Sequence, residues 1–266
     1  MHLRHIAFFF ALLIPGAAHS AEICSIVECS TGFVVGARSG GKWLDSERAA
    51  RALKPGTKFR VFSLTKETGA AKCSKPKADQ EVCPDVWSVE LSPTPDDDTF
   101  AVAAPWNPQP RAARVADPAQ AVYRDAVREF LRGRGLRDPK ARITQLLRVD
   151  LDGDGEDEVL VTATDYGTKS DDDIPSESPA NSYSMVLLRR VVDGKVRTQL
   201  VDGEFYRKAG NFNAPQRFRV AGVLDVDGDG KLEVIVDASY YEGGSTHIFR
   251  CTPGKIEKVL SVTCGV

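Results

Sequence analysis

Asp150-Leu151-Asp152-Gly153-Asp154-Gly155-Glu156-Asp157-Glu158-Val159 returns 75 residues later as Asp225-Val226-Asp227-Gly228-Asp229-Gly230-Lys231-Leu232-Glu233-Val234. Each stretch follows an apolar run (Leu146, Leu147, Val149; Val220, Val223, Leu224) and precedes a β-branched one (159–164; 234–238). The wider stretches 143–166 and 218–241 form an internal repeat. A second hairpin follows in each copy. The first joins 185–192 to 196–201 at Asp193-Gly194, a strong two-residue turn signal; the second joins 247–252 to 256–262 at Pro253-Gly254. These turns lie 60 residues apart, so the first copy carries a 15-residue insertion within 167–184. That stretch, with Asp171-Asp172-Asp173, Pro175 and Pro179, reads as a surface loop. The expectation is two four-stranded, blade-like units at 143–201 and 217–262.

The spacing Asp-x-Asp-x-Asp-Gly-x-x-Glu has a physical cause. Side chains at positions 1, 3 and 5 of a tight turn converge on one point. The glycine at position 6 permits the reversal, the carbonyl at position 7 adds an oxygen, and position 9 closes the shell. Ca²⁺ takes six to eight oxygen ligands at about 2.3–2.6 Å. Without a cation, carboxylates held this close repel one another. The expected ligands are Asp150, Asp152, Asp154 and Glu158 with the Glu156 carbonyl in one site, and Asp225, Asp227, Asp229 and Glu233 with the Lys231 carbonyl in a second. An EF-hand would need glutamate at position 12 and flanking helices. Val161 and Val236 stand there, between β-branched flanks.

On these residues the stretch 143–262 resembles the calcium-loop repeats of the FG-GAP and VCBS type, as in integrin-like β-propeller blades. The resemblance implies structural calcium and an adhesive or carbohydrate-associated setting. The Phe-Gly…Gly-Ala-Pro signature is missing, and position 9 is Glu rather than Asp. Two units cannot close a propeller, which takes about 4–8 blades. The sheets are therefore expected to pack on each other, or under a helix at 118–132. Asp117-Pro118-Ala119-Gln120 reads as that helix's start, with Asp as cap and Pro first. Its apolar face runs through Ala119, Val122, Ala126 and Phe130, widened by Tyr123, Val127 and Leu131.

Upstream, residues 21–91 read as a small β-rich domain with runs at 32–37, 58–64 and 86–91 and a helix at 45–53. Residues 92–116, with Pro93, Pro95, Pro105, Pro108 and Pro110, read as an extended linker that Trp106 pins to one domain. Residues 1–20 read as a cleavable secretory signal. A short basic start precedes the apolar run 6–14, a Pro15-Gly16 break and a small-residue site ending at Ser20. The fold class is thus mainly β with one or two helices. A small disulfide-stapled N-terminal β domain precedes a C-terminal domain of two blade-like units.

The whole chain has 266 residues, 35 Lys/Arg against 37 Asp/Glu, and 42% hydrophobic types, an ordinary globular composition. The leader holds one of the basic residues and no acid, leaving a net of −3 that gives no electrostatic case for nucleic acid. No second apolar stretch is long enough to span a bilayer. All six cysteines (Cys24, Cys29, Cys73, Cys83, Cys251 and Cys264) lie past the leader, an even count that favours disulfides in an exported protein. Proximity in sequence suggests Cys24–Cys29, Cys73–Cys83 and Cys251–Cys264.

Tyr240, Tyr241 and Glu242, beside Gly243-Gly244, are a candidate ligand-stacking site, although a hairpin tip with one half-buried and one exposed tyrosine accounts for them better. His247, alone past the leader, lies in an expected strand, and no residue is singled out as catalytic. The expected function is an exported calcium-binding module whose Ca²⁺ is structural and which binds a protein, a glycan or an envelope component. The alternative is a calcium-stabilised extracellular hydrolase acting on a polymer.

Overall fold

The β-branched runs that flank the acidic turns form strands of two open antiparallel sheets, and each turn lies at one end of the strands it joins. The computed structural model describes residues 23–78, 81–168 and 173–265. The expected secretory leader therefore lies outside the described residues. In chain order the elements begin with β1 (Ile23–Glu28), β2 (Val34–Ser39), β3 (Lys42–Leu44), α1 (Ser46–Ala52), β4 (Lys58–Phe62) and β5 (Glu67–Cys73). They continue with β6 (Lys77–Ala78), β7 (Trp87–Ser88), β8 (Leu91–Ser92) and β9 (Phe100–Ala103), then β10 (Arg114–Val115) and α2 (Ala121–Gly133). The first copy is β11 (Ile143–Val149), β12 (Glu158–Asp165), β13 (Ser182–Val192) and β14 (Lys195–Tyr206). The second is β15 (Arg217–Leu224), β16 (Glu233–Tyr240), β17 (Gly243–Cys251) and β18 (Ile256–Gly265).

Strands β15 to β18 pair in sequence order as a four-stranded sheet. The first copy does the same and gains β10 as a fifth strand, through Arg114↔Arg148 and Val115↔Leu147. The N-terminal sheet has seven strands in the order β3-β2-β1-β9-β4-β5-β8. Strand β9 lies between β1 and β4, with Ala101 opposite both Val27 and Val61. The stretch expected to be only a linker thus supplies a central strand, because Phe100–Ala103 is apolar enough to be buried in the sheet.

Alternate residues of each strand face opposite sides, and this period sets the layers. Leu160 of β12 packs against the second copy, while Val159, Val161 and Ala163 face α2. One copy later the same rule holds. Val234 and Val236 of β16 face the first copy, while Ile235 faces Ile26, Val35 and Phe100 of the N-terminal sheet. Corresponding faces therefore point the same way along the stack, front to back. Such a head-to-tail contact leaves a free face at each end unless it closes into a ring. Here α2 covers one end of the stack through Tyr123, Val127 and Leu131, and the N-terminal sheet covers the other. That sheet's outer face carries α1 through Ala49, Ala50 and Leu53.

Two details of α2 depart from expectation. Its cap is Gln120, without a side-chain bond, because the Asp117 carboxylate is taken by the Ala119 N–H at 2.8 Å in a local turn. Its buried stripe is Tyr123, Val127 and Leu131, with Val122 exposed. By contrast, α1 starts as expected, with Asp45 accepting from the Arg48 N–H at 3.0 Å.

The cysteine pairing also differs. Cys83 is bonded to Cys264, 181 residues away, and Cys24, Cys29, Cys73 and Cys251 are buried free thiols. None of the three sequence-adjacent pairings forms. The bond ties the N-terminal region to the last strand of the second copy, a contact that only the stacking of sheets creates. No helix among the described residues is long and apolar enough to cross a membrane.

Candidate metal centre

Each acidic turn connects two paired strands. Val149 pairs with Glu158 across the first and Leu224 with Glu233 across the second, so eight residues form each turn. The first carboxylate organises each loop. Asp150 Oδ1 accepts from the Gly153 N–H at 2.6 Å, and its Oδ2 accepts from the Gly155 N–H at 3.1 Å. Asp225 does the same for Gly228 at 2.7 Å and Gly230 at 3.0 Å. The closing glutamates reach back to the second residue of their loops: Leu151 N–H donates to Glu158 at 2.8 Å, and Val226 N–H to Glu233 at 3.0 Å. The glycines at position 6, Gly155 and Gly230, take φ values of +90° and +81°, the left-handed region that glycine enters without steric cost.

Carboxylate oxygens of Asp150, Asp152 and Glu158 come within 4.8 Å of one another, as do those of Asp225, Asp227 and Asp229. Asp154 falls outside the first trio and Glu233 outside the second. Glu156 and Lys231 are exposed, and their N–H groups each donate at 2.8 Å, to Asp154 and Asp229 respectively. The electrostatics are those of charge held out of water. Burial pushes the Glu158 and Asp225 carboxyls up. Glu233, only 1% exposed, is pushed up to about 8 by burial and then by Asp227.

Two observations test whether the residues suit a cation. Asp152 Oδ1 is sealed from solvent, and no hydrogen-bond donor among the described residues reaches it. An orphaned, oxygen-only acceptor beside two further carboxylates matches the donor set of a hard divalent ion. In the second turn the corresponding Asp227 is in close contact with Arg250, whose Nε also lies 3.6 Å from Glu233.

Several residues brace the turns; of these only Trp106 was expected, as the residue that pins the 92–116 stretch, and neither Arg111 nor Leu232 is a defining residue of a motif. Arg111 lies between the two loops, donating to the Asp150 carbonyl at 2.6 Å and to the Gly230 carbonyl at 2.7 Å. Leu232 N–H donates to the Leu151 carbonyl at 2.8 Å, joining loop to loop directly. Trp106 donates from Nε1 to the Asp225 carbonyl at 2.9 Å, and its ring lies 3.1 Å from where a Cβ on Gly228 would stand. The segment 104–111 is therefore a strap over the seam. Arg190 and Arg250 follow Arg189 and Phe249, which pair with Val159 and Val234, so they occupy equivalent places in the two copies. The 60-residue offset of the second hairpins was the available signal for that pair.

Tyr240 and Tyr241 meet edge to face at 6.1 Å, the first half-buried and the second 45% exposed. Tyr240 pairs with Gly243, which places Tyr241 and Glu242 at the tip of the β16–β17 hairpin. His247 Nδ1 lies 2.7 Å from Asp202 and links the two copies. No family model matches the chain, and neither does any curated protein or solved structure.

Proposed function

We propose that the chain is an exported β module in which Ca²⁺ is a structural element at the seam of two stacked sheets, and that the rigid stack serves to bind a partner or an envelope or extracellular component. The observation that carries the metal reading is Asp152 Oδ1, buried and without a donor inside a tight carboxylate trio. One ion would be held by Asp150, Asp152, Asp154, Glu158 and the Glu156 carbonyl, and a second by Asp225, Asp227, Asp229, Glu233 and the Lys231 carbonyl. Bound calcium supplies positive charge that cancels the repulsion among these groups. The chain's own part is to preorganise the turns through Asp150 and Asp225 and to fix them together through Arg111. The loop spacing's resemblance to FG-GAP and VCBS repeats supports the same reading. The Cys83–Cys264 bond is compatible with an oxidising compartment.

The expected size is modest. Extracellular calcium modules bind at about 10⁻⁴–10⁻³ M. At roughly tenfold excess over Kd, linkage gives about 1.4 kcal/mol per site, or about 3 kcal/mol for two. In a chain of this length that raises the melting temperature by about 6–10 °C between chelator and millimolar calcium. Calorimetric scans in the two buffers test the proposal, and coincident transitions would overturn it.

A further inference from the structure

A cavity of about 500 Å³ opens between the turn that joins β1 to β2 and the far ends of β16, β17 and β18. It is remote from the acidic turns: Glu233 begins β16 at the metal centre, whereas Asp237 and Ser239, further along that strand, line the cavity. Glu28, Asp237 and Glu242 line it against one guanidinium, that of Arg219. The Arg219 charge is already shared between Asp237 at 2.7 Å and Asp98 at 3.0 Å.

Both central acceptors are held in place. Glu28 receives the Ser30 hydroxyl at 2.9 Å on one oxygen, and the Thr31 and Thr246 hydroxyls at 3.2 and 3.1 Å on the other. Asp237 is 9% exposed, and its Oδ1 meets no hydrogen-bond donor among the described residues. Burial raises the Asp237 carboxyl to about 6 against the pull of Arg219, and Glu28 pushes the same way. The remaining wall is apolar at Phe33, Val82 and Val262. A buried acceptor without a donor is a standing cost that a bound donor removes. The excess of carboxylates excludes an anionic ligand, and a neutral one would leave that excess uncompensated.

We propose that this cleft binds an organic cation, a primary ammonium group on a small apolar body. The ammonium donates to Glu28 and, as the carboxylate turns outward from its sealed position, to Asp237 Oδ1, and the body packs on Phe33, Val82 and Val262. An ammonium carries three N–H donors and a full charge, which matches two acceptors in a shielded site. Nothing in this assignment depends on cations in the acidic turns.

The test is a two-dimensional NMR titration of the calcium-saturated full chain with 2-phenylethylammonium, and in parallel with 2-phenylethanol, its neutral counterpart of similar shape. The expected result is a saturable shift of the Thr31 and Thr246 signals with the ammonium alone, weakened at least tenfold by Asp237→Asn. Glu28→Gln, at a half-buried position held by hydroxyls, provides a second reading should Asp237→Asn fail to fold. Equal response to the alcohol, undiminished binding in a folded variant, or no saturable shift with the ammonium would each overturn the assignment.

Discussion

The two acidic turns share four backbone-to-carboxylate hydrogen bonds and differ in what stands beside them. In the first, Asp152 Oδ1 has no donor among the described residues, and Arg190 donates instead to the Cys251 carbonyl of the neighbouring copy at 3.2 Å. In the second, the equivalent Arg250 contacts Asp227 directly. The second turn is also drier: Asp225 is buried, whereas Asp150 is half-buried. The spacing of acids and glycines thus fixes the path of the backbone, while the layers on either side decide how each turn balances its charge. The first copy faces α2 and the second faces the N-terminal sheet, and only the second has a tryptophan strapped across its loop.

The largest contrast is expected on removing the organising carboxylate. Asp225→Ala leaves the Gly228 and Gly230 N–H groups without an acceptor in a partly buried setting. At about 1–3 kcal/mol for each unpaired donor, it costs about 4 kcal/mol. Asp150→Ala removes the same two bonds where water can replace them, and costs about 2 kcal/mol. Urea unfolding in chelator measures both without the metal contribution. Equal losses would show that the surroundings of the two turns do not matter to their stability.

That contrast also separates what could be read from the sequence from what could not. The acid spacing, the Asp193-Gly194 hairpin and α1 follow from local pattern, which one sequence displays, whereas β12 and β16 are buried on both faces and show no alternation that would say which layer each face meets. The Cys83–Cys264 bond, the strap made by Trp106 and Arg111, and the order of the layers arise from contacts 40 to 180 residues apart, in round numbers, and carry no local period. Proline density in 92–116 hid β9, because the four residues Phe100–Ala103 are too short a run to stand out among turn formers. In the candidate site, the carboxylates were legible through their 75-residue repeat. Their arginine neighbours were legible only by aligning the second hairpins, whose offset differs because of the insertion.

A second contrast sits mid-strand. Asp237 in the second copy takes the place held by Thr162 in the first, and Arg219 the place held by Thr144. Thr162 is neutral and donates to Gln145 at 3.0 Å. Asp237 is charged and buried, and its carboxyl is raised from an ordinary 3.8 to about 6 by burial, with Glu28 and Asp98 adding to the rise and Arg219 opposing it. The folded chain therefore holds this proton after the unfolded chain has released it. Stability falls as pH rises from about 4 to about 6, and the loss is complete above that. Two pKa units correspond to about 2–3 kcal/mol. Asp237→Thr, which copies the first repeat, is expected to flatten this part of the slope when wild type and variant are compared by urea unfolding at pH 4, 5, 6 and 7 in saturating calcium. Parallel pH profiles would show that Asp237 ionises as freely in the folded chain as in the unfolded one.

The smallest expected effect bears most directly on why two copies of one loop differ. If Arg250 holds Asp227 in place of a metal ion, it must yield when calcium binds, and the second site should be weaker than its carboxylate count implies. The Arg250 side chain is 31% exposed, so water screens its pairing with Asp227 to about 1 kcal/mol, and Arg250→Ala should tighten calcium at the second turn by about fivefold. Trp106, packed on Gly228, makes that turn separately observable through tryptophan-sensitised terbium luminescence and its displacement by calcium. Arg190 contacts a backbone carbonyl and no loop carboxylate, so Arg190→Ala should change calcium affinity at the first turn less, as read by isothermal titration in a background where Asp225→Ala silences the second. Equal tightening in both would mean that net charge, and not the contact with Asp227, sets the difference. No tightening in Arg250→Ala would mean that arginine and calcium occupy the second turn together.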